Sequence, residues 1–279
     1  MKAMHAVLSL LLLAGCAGQV ELDTSSVFTG ADIAILGEVH DNPGHHRNQA
    51  EIIRQLSPSA VVFEMLTPEQ AALVNATPDR DEELRGVLAW DSGGWPDWAL
   101  YQPVFEAAAD TPVYGMALPR DEVNRAVGEG AAGVFGDDAR GYGLADPLAA
   151  GVQRAREEHQ QEVHCNALPD TLLPGMVEAQ RLRDAAFART TLQALADTGG
   201  PVVVITGTGH ARKDWGMPVA LRYAAPGAKV VSLGQLEAAP EDPPPFDVWR
   251  VSDPPPRGDP CADFLKHSGG DAAAPAADP

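Results

Sequence analysis

Short apolar runs that alternate with helical patterns constrain the fold of this chain more than any other feature of its sequence. Most of these runs are continuous, without the alternation of apolar and polar residues that marks a strand with one wet face. Strands buried on both faces occur in parallel sheets, in which helices form the crossovers. We therefore predict an α/β fold, with a mostly parallel central sheet covered by helices. The predicted strands span residues 32–37, 60–65, 112–116, 201–210 and 229–234, with an edge strand at 246–251.

The segments between these runs carry signals for the starts of helices. Asn42 precedes Pro43, and Thr67 precedes Pro68, which is the arrangement of a capping residue before a proline in the first turn. Residues 121–198 show no strand pattern. We predict that they form a helical insertion or cap on the sheet.

The first 16 residues have the pattern of a bacterial export signal and not of folded structure. Lys2 supplies a positive charge, and an apolar run that is too short to span a bilayer follows it. The segment Leu13-Ala14-Gly15-Cys16 resembles a lipobox, which implies cleavage before Cys16 and lipidation of its thiol. The alternative is an ordinary secretory signal with a chance cysteine. The lipobox interpretation predicts a protein anchored by lipid in the bacterial cell envelope, at the outer membrane and facing the periplasm.

The rest of the chain divides into a tether at 17–29, an α/β domain at 30–239, a proline-rich extension at 240–268 and a tail at 269–279. The tail is of low complexity and is predicted to be disordered. Besides Cys16, the chain contains Cys165 and Cys261. In an oxidising compartment these two are expected to form a disulfide, and the alternative is two free thiols. The bridge would tie the extension to the helical insertion.

The charge of the chain excludes one class of partner. Lys and Arg total 20 against 39 Asp and Glu, a formal net charge of −19. Proteins that bind nucleic acid neutralise its phosphates with Lys and Arg, so we expect no nucleic acid partner. The same argument disfavours docking on anionic lipid headgroups.

Polar side chains with catalytic or metal-binding chemistry stand where three of the predicted strands end. Glu38 and His40 follow the first strand, Glu64 ends the second, and His210 follows the fourth. Open α/β sheets bind their ligands at the carboxyl ends of the strands, so these side chains are expected to share one rim. His40, Glu64 and His210 are candidate acid–base catalysts. Glu38, His40 and His210 are candidate ligands of a divalent metal.

A second polar group lies at the start of the helix that follows the first strand. His45, His46 and Arg47 occupy its first turns, where the helix N-terminus favours anions. We expect them to lie further out than His40, with one of the two histidines exposed to solvent. There they could meet a ligand or a second subunit. For His40 and His210 themselves, the alternative is a buried role as a hydrogen-bonding side chain.

Five motifs in order give the chain a family resemblance. They are "LGEVHDNPGHHRNQAEII", "VVFEML", "GWPDWALYQPVFEAA", "EAQRLRDAAFA" and "ITGTGHAR". Together they resemble the haem-binding uptake proteins of the ChaN type, which are iron-regulated bacterial lipoproteins in a superfamily with Tiki proteases, TraB proteins and erythromycin esterases. The resemblance runs from about residue 32 to about residue 234. It implies an α/β core with a helical lobe, and haem bound in stacked pairs at a dimer interface.

The same resemblance implies a tyrosine as the iron ligand. Tyr101 matches best and Tyr142 is a rival, since a phenolate is a sound ligand for ferric haem. The porphyrin face would pack on Trp90, Trp95 and Trp98, for which core packing is the alternative. The haem propionates would pair with Arg181 and Arg183. Gln180 and Asp184 share one face of the same helix and are further candidates for binding the haem. The alternative for these four residues is a solvated helix surface.

The wider superfamily implies a rival function. In erythromycin esterases the residues that match His40, Glu64 and His210 supply a histidine base, a glutamate and a late histidine, and in Tiki-like members a similar rim holds a metal. The chain has neither a G-x-S-x-G nor an H-E-x-x-H motif, which disfavours conventional serine hydrolases and zincins. We therefore expect a lipid-anchored, haem-binding uptake protein that works with an outer-membrane haem receptor. A metal-dependent or acid–base hydrolase is the alternative, and an exported interaction module is a third.

Overall fold

Six parallel strands form the sheet of this protein, in a computed structural model that describes residues 24–259, 261 and 262. The strands are β1 (Ile33–Glu38), β2 (Ala60–Phe63), β3 (Val113–Gly115), β4 (Val202–Gly207), β5 (Val230–Leu236) and β6 (Val248–Val251). Their order across the sheet is β3-β2-β4-β1-β5-β6, and every neighbouring pair is parallel. Each predicted strand overlaps one of these six, so the prediction of an α/β fold with a mostly parallel sheet is confirmed.

Helices fill the connections between the strands. They are α1 (Thr24–Val27), α2 (Pro43–Leu56), α3 (Pro68–Ala76), α4 (Glu82–Val87), α5 (Trp98–Ala107), α6 (Arg120–Glu129), α7 (Ala131–Phe135), α8 (Ala150–Val163), α9 (Leu173–Thr198), α10 (Thr208–Ala211) and α11 (Met217–Ala224). Two short 3₁₀ turns lie at Trp90–Ser92 and Asp137–Tyr142. Residues 121–198 contain helices and turns and no strand, in accordance with the sequence pattern.

The sheet separates two apolar cores because successive side chains of a strand point to opposite faces. On one face, Leu36 and Phe63 pack with α2 and α5. On the other face, Ile35 and Val62 pack with α9 and α11. All six residues of β1 are buried, as the continuous apolar run predicts for a central parallel strand.

The helix starts follow the predicted capping chemistry. The side chain of Asn42 accepts a hydrogen bond from the backbone N–H of Gly44 at 2.8 Å, directly before the proline that begins α2. Thr67 and Gln70 form a reciprocal capping box at the start of α3. These caps fix the direction in which each helix leaves the rim of the sheet.

The two ends of the described chain pack on the domain. The predicted tether at 17–29 is corrected in its last residues, where α1 forms and Phe28 is buried in the core. In the C-terminal extension, Arg257 binds the carboxylates of Asp41 and Glu237. A disulfide joins Cys165, just after α8, to Cys261.

Several predictions fall on residues that the structure does not describe. The export signal with Cys16, most of the tether and the tail at 269–279 all lie outside the described residues. Within the described part, none of the helices combines the length and the apolar character needed to cross a bilayer.

Candidate functional site

Three adjacent strands bring the predicted rim residues together. β2, β4 and β1 are neighbours in the sheet, so their carboxyl ends lie side by side. Glu38 is the last residue of β1, and Glu64 directly follows β2. Gly207 ends β4, and the turn after it delivers His210 in α10. This is the rim that the sequence predicts, although the pairing of the side chains was not predictable.

His40 forms the first of two carboxylate–histidine pairs. Its Nδ1 donates to Oε1 of Glu38 at 2.8 Å, and the hydroxyl of Tyr101 donates to the same oxygen at 2.5 Å. The edge of the His40 ring meets Trp95, with 5.2 Å between the ring centroids. Because Nδ1 is held by the carboxylate, the other ring nitrogen, Nε2, is the one turned away from Glu38.

Glu38 is enclosed by donors and is 1% exposed. Its second oxygen accepts from Nε2 of Gln49 at 2.6 Å and lies 3.4 Å from Nδ1 of His46. Burial raises the pKa of Glu38, but His46, His40 and the Tyr101 hydroxyl outweigh it, so that the pKa lies below its ordinary value. The carboxylate is therefore ionised and fixes the tautomer of His40.

His210 forms the second pair. Its Nδ1 donates to Oδ1 of Asp184 on α9 at 2.7 Å, and its ring packs edge-on against Phe187. Burial raises the pKa of Asp184, although His210 and Arg156 lower it in part. The sequence analysis placed Asp184 with Gln180 among the haem-binding candidates, and in the structure its partner is a histidine on the rim.

Glu64 lies between the two pairs and is 1% exposed. One oxygen accepts from the Thr206 hydroxyl and from the backbone N–H of Gly207, both at 2.7 Å. The other oxygen is 2.8 Å from Arg183 and 3.7 Å from Nε2 of His210. Burial raises the pKa of Glu64, but His210, Arg183 and His40, with the Thr206 hydroxyl, lower it to about 2.

Gly207 keeps open the space between His40 and Glu64. A Cβ at this position would lie 3.1 Å from Nε2 of His40 and 3.7 Å from Oε2 of Glu64. Both histidines thus use Nδ1 for a carboxylate partner and turn Nε2 toward the region of Glu64. Two imidazoles oriented in this way, beside a carboxylate and the Arg183 guanidinium, are able to accept and deliver protons.

Two cavities open at this rim, and Gln180 lines both. A cavity of about 240 Å³ is bordered by His40, His210 and Asp184 and by residues of α8. A larger one of about 620 Å³ is bordered by Glu64, Arg183 and an apolar wall. We refer to them as the histidine cavity and the apolar cavity.

The outer group of the sequence analysis requires a correction. His45 and His46 are 0% and 1% exposed, so neither is solvated. His45 accepts the backbone N–H of Val39 on Nδ1, and His46 donates from Nε2 to the carbonyl of His40. Both rings brace the turn after β1, while Arg47 is exposed on α2 and lines neither rim cavity.

The structure places Tyr101 and Arg181 outside the lining of both rim cavities. Tyr101 is fully buried with its hydroxyl donating to Glu38, and burial with the nearby Glu38 raises its pKa well above the ordinary value. Trp90 and Trp98 pack with Phe105 in the core, although Trp90 also borders the apolar cavity. Arg181 binds Glu178 and backbone carbonyls of residues 143–146, and it lines neither rim cavity.

The metal prediction finds no support in the geometry. Among the residues that the structure describes, no group of three or more His, Cys, Asp or Glu side chains is arranged to hold a metal ion. Glu38 and His40 face each other, while His210 faces Asp184, so the three predicted ligands do not converge on one point.

Several site residues were not found from the sequence. Gln49 and Thr206 hold the two glutamates, and nothing in their local sequence distinguishes them from ordinary core residues. Arg156 and Gln160 border the histidine cavity from α8, a helix whose charged sequence is typical of a solvated surface. Only the pairing of distant segments in the fold reveals them.

Comparison with known proteins gives one family model and a small number of similar solved structures. The family model described as haem-binding uptake, Tiki superfamily, ChaN matches residues 26–221. Among solved structures, the fold is similar to that of ChaN of Campylobacter jejuni with cofacially bound haem, at 21% identity and a TM-score of 0.60 over 78% of this chain and 87% of that chain. The type III effector HopBA1 is matched at 10% identity and a TM-score of 0.47, over 83% of this chain and 92% of that chain. No curated protein matches the chain. Because the family model covers well over half of its length, the chain belongs to the ChaN family of haem-binding uptake proteins in the Tiki superfamily.

Proposed function

We propose that this protein binds haem in the apolar cavity, as a component of haem or iron uptake in the bacterial envelope. Family membership over residues 26–221 is the observation that carries the proposal. The related structure from Campylobacter jejuni holds haem cofacially, and by analogy we propose that this protein forms a homodimer when it is loaded with haem. An outer-membrane haem receptor is the kind of partner that would supply it.

The apolar cavity has the chemistry of a porphyrin site. Its volume of about 620 Å³ falls within the range of small-molecule sites. Trp95 and Phe187 offer aromatic surface, and Leu118 and Met176 add aliphatic surface. Arg183 at the same cavity supplies positive charge for propionates, although it already pairs with Glu64. When bound, haem would supply iron for transfer or storage, while these residues would hold the macrocycle and keep water from it.

Haem in the apolar cavity would need an iron ligand other than the tyrosine that the family resemblance implies. All four tyrosines lie within the described residues, and none lines the apolar cavity. Tyr114 donates to Asp197 at the C-terminal end of α9. Tyr142 and Tyr223 border a separate depression of about 230 Å³. We infer that haem in the apolar cavity is held without Tyr101.

Haemin titration of the chain lacking residues 1–16 tests this proposal. We expect saturable binding with a Soret band, and we expect Tyr101→Phe to keep the wild-type Soret maximum with an affinity within about threefold. The same substitution removes a donor from the buried Glu38 carboxylate, so it is expected to lower the free energy of unfolding by about 2 kcal/mol. Absorbance titration and thermal melts measure the two effects separately.

Tyr114→Phe is the matched control, because it removes one hydroxyl that donates to a carboxylate away from the rim. A folded Tyr101→Phe protein that lost the haem spectrum would restore Tyr101 as the ligand. A wild-type protein that did not bind haemin would refute haem binding altogether. Sedimentation of the loaded protein reports whether haem brings two copies together.

We further propose that the protein is anchored by lipid on Cys16. The segment Leu13-Ala14-Gly15-Cys16 after an apolar run is the support for this anchor. In bacteria that express the full chain, labelling with a palmitate analogue is expected to mark the protein and to sediment it with membranes. Cys16→Ser is expected to abolish the label. Equal labelling of the Cys16→Ser chain, or a wild-type chain without label, would contradict the anchor.

A hydrolase is the second candidate function, because the two carboxylate–histidine pairs exceed what a haem site requires. His40 and His210 are 5% and 4% exposed, and each is oriented by a buried carboxylate. A histidine held in this way acts as a general base, with the carboxylate fixing its tautomer. Turnover of a chromogenic ester by the wild-type protein is the first test of this activity.

A further inference from the structure

The wall of the histidine cavity formed by α8 carries two buried polar side chains that neither candidate function requires. Arg156 and Gln160 are four residues apart, so they share one face of the helix. Both line the same cavity as His40 and His210. They are 8% and 5% exposed, which is unusual for these residue types.

Arg156 is a buried cation with an unused donor. Its Nη2 donates to the carbonyl of Trp215 at 2.9 Å, and its guanidinium lies 5.8 Å from the centre of the Trp215 ring. Its Nε has no hydrogen-bond partner among the described residues. Burial lowers the pKa of Arg156, with Asp184 and Asp214 opposing that effect from a distance. A buried N–H without an acceptor is costly, and a bound anion would relieve that cost.

Gln160 presents the opposite chemistry. Its Oε1 is buried and has no hydrogen-bond partner among the described residues. An amide oxygen accepts hydrogen bonds only, so the group that satisfies it must carry an O–H or N–H. The cavity thus offers a charged donor and a neutral acceptor on one helix face.

The other charged groups that border the cavity are already paired. Asp184 accepts from His210 at 2.7 Å, and Arg212 binds Asp214 at 2.8 Å. Because these groups are paired with one another, a ligand in the cavity would meet the positive charge of Arg156 on α8. A carboxylate matches a guanidinium better than a neutral oxygen does, because the hydrogen bond is assisted by charge.

We propose that the histidine cavity binds a small carboxylate that carries a neighbouring hydroxyl or N–H group. The carboxylate accepts from the guanidinium of Arg156, and the neighbouring group donates to the side-chain amide of Gln160. A volume of about 240 Å³ accommodates a compact molecule of this kind. The site is distinct from the apolar cavity and does not rest on haem binding.

Calorimetric titration with three matched probes tests the two contacts. Lactate has both groups, propionate lacks the hydroxyl, and lactamide lacks the charge. We expect lactate to bind several-fold more tightly than propionate, and to bind more tightly than lactamide by a factor of about ten or greater. No binding of lactate at millimolar concentration, or equal binding of lactate and lactamide, would overturn the proposal.

Two substitutions on α8 locate the site. Arg156→Gln is expected to weaken lactate binding by about tenfold or more, because it removes the charge. Gln160→Glu is expected to weaken lactate binding to a comparable extent for a different reason. It places a carboxylate one helical turn from Arg156, and this carboxylate takes the place of the carboxylate of lactate. Arg154→Gln, at an exposed position of the same helix, is the control and should bind lactate like the wild type.

Circular dichroism separates loss of the site from loss of the fold. If Arg156→Gln does not fold, Gln160→Glu still tests the site, because its new carboxylate pairs with Arg156. Folded variants of both positions that bind lactate as tightly as the wild type would overturn the proposal. Competition with haemin and its dimethyl ester then identifies the source of the carboxylate. Displacement of lactate by haemin alone assigns the site to a haem propionate, whereas a lack of displacement by either assigns it to a free acid.

Discussion

Replacing Glu64 with glutamine is expected to lower the free energy of unfolding by about 3 kcal/mol at neutral pH, the largest effect we expect from a single rim residue. The carboxylate is buried and takes four close neighbours of donor or cationic character, namely Thr206, Gly207, Arg183 and His210. Glutamine has nearly the same shape but no charge. It therefore leaves the Arg183 guanidinium at the rim without its counter-charge.

The same residue predicts how stability changes with acid. The pKa of Glu64 is about 2 in the folded protein against an ordinary value of 4.5, so the ionised form favours folding. Its contribution is fully present above pH 4.5 and is lost as the pH falls from 4.5 toward 2. That interval corresponds to about 3 kcal/mol, at about 1.36 kcal/mol for each pH unit.

Urea denaturation of the wild type and of Glu64→Gln across this pH range measures both effects. The wild type should lose stability more steeply below pH 4.5 than the variant, so that the two converge in acid. Glu158→Gln, on the exposed surface of α8, is the control for the loss of one negative charge. Parallel curves for the wild type and Glu64→Gln would show that Glu64 is not held ionised by its neighbours.

Loss of either rim histidine is expected to abolish hydrolysis if the protein is a hydrolase. His40→Ala and His210→Ala should each reduce kcat/KM for a p-nitrophenyl ester by about 100-fold or more, which is the usual contribution of a general base. Glu38→Gln is expected to give a smaller loss, because it keeps the position of His40 but weakens the hold on its tautomer. Initial rates and their pH profiles measure these differences.

Exposed histidines hydrolyse activated esters without any site, so the background must be measured. Wild-type protein unfolded in urea keeps its eight histidines and loses their arrangement. Activity that survives unfolding, or that is equal in the wild type and the two alanine variants, would show that His40 and His210 have structural roles. Haem binding would then remain the proposed function of the protein.

The fold was largely predictable because its signals are local. Each strand is a short apolar run, and each of the helix starts at Asn42 and Thr67 is a capping residue followed by proline. Glu38, His40, Glu64 and His210 were predictable as a set, since parallel strands bring their carboxyl ends to one edge. The edge strand β6 was predictable from its own pattern.

The roles within the rim were not predictable, because they depend on which distant side chains meet. Tyr101 has the local pattern of a helix residue and fits a ligand or a core residue equally well, and its contact with Glu38 is visible only in the fold. His46 lies in the first turn of α2, after the loop that follows β1, and its side chain nevertheless reaches back to the carbonyl of His40. Asp184 and His210 are 26 residues apart and belong to different elements, so no spacing predicts that they pair.

The bridge between Cys165 and Cys261 makes the wall of the histidine cavity dependent on the redox state of its surroundings. It follows the helix that carries Arg156 and Gln160, and it ties that helix to a segment held on the domain by Arg257. In a reducing compartment this wall would rest on side-chain packing alone, whereas in an oxidising compartment the bridge adds a covalent constraint to it. The rigidity of the cavity wall is therefore expected to follow the redox state of the surroundings, so that ligand binding in the histidine cavity becomes sensitive to reductant.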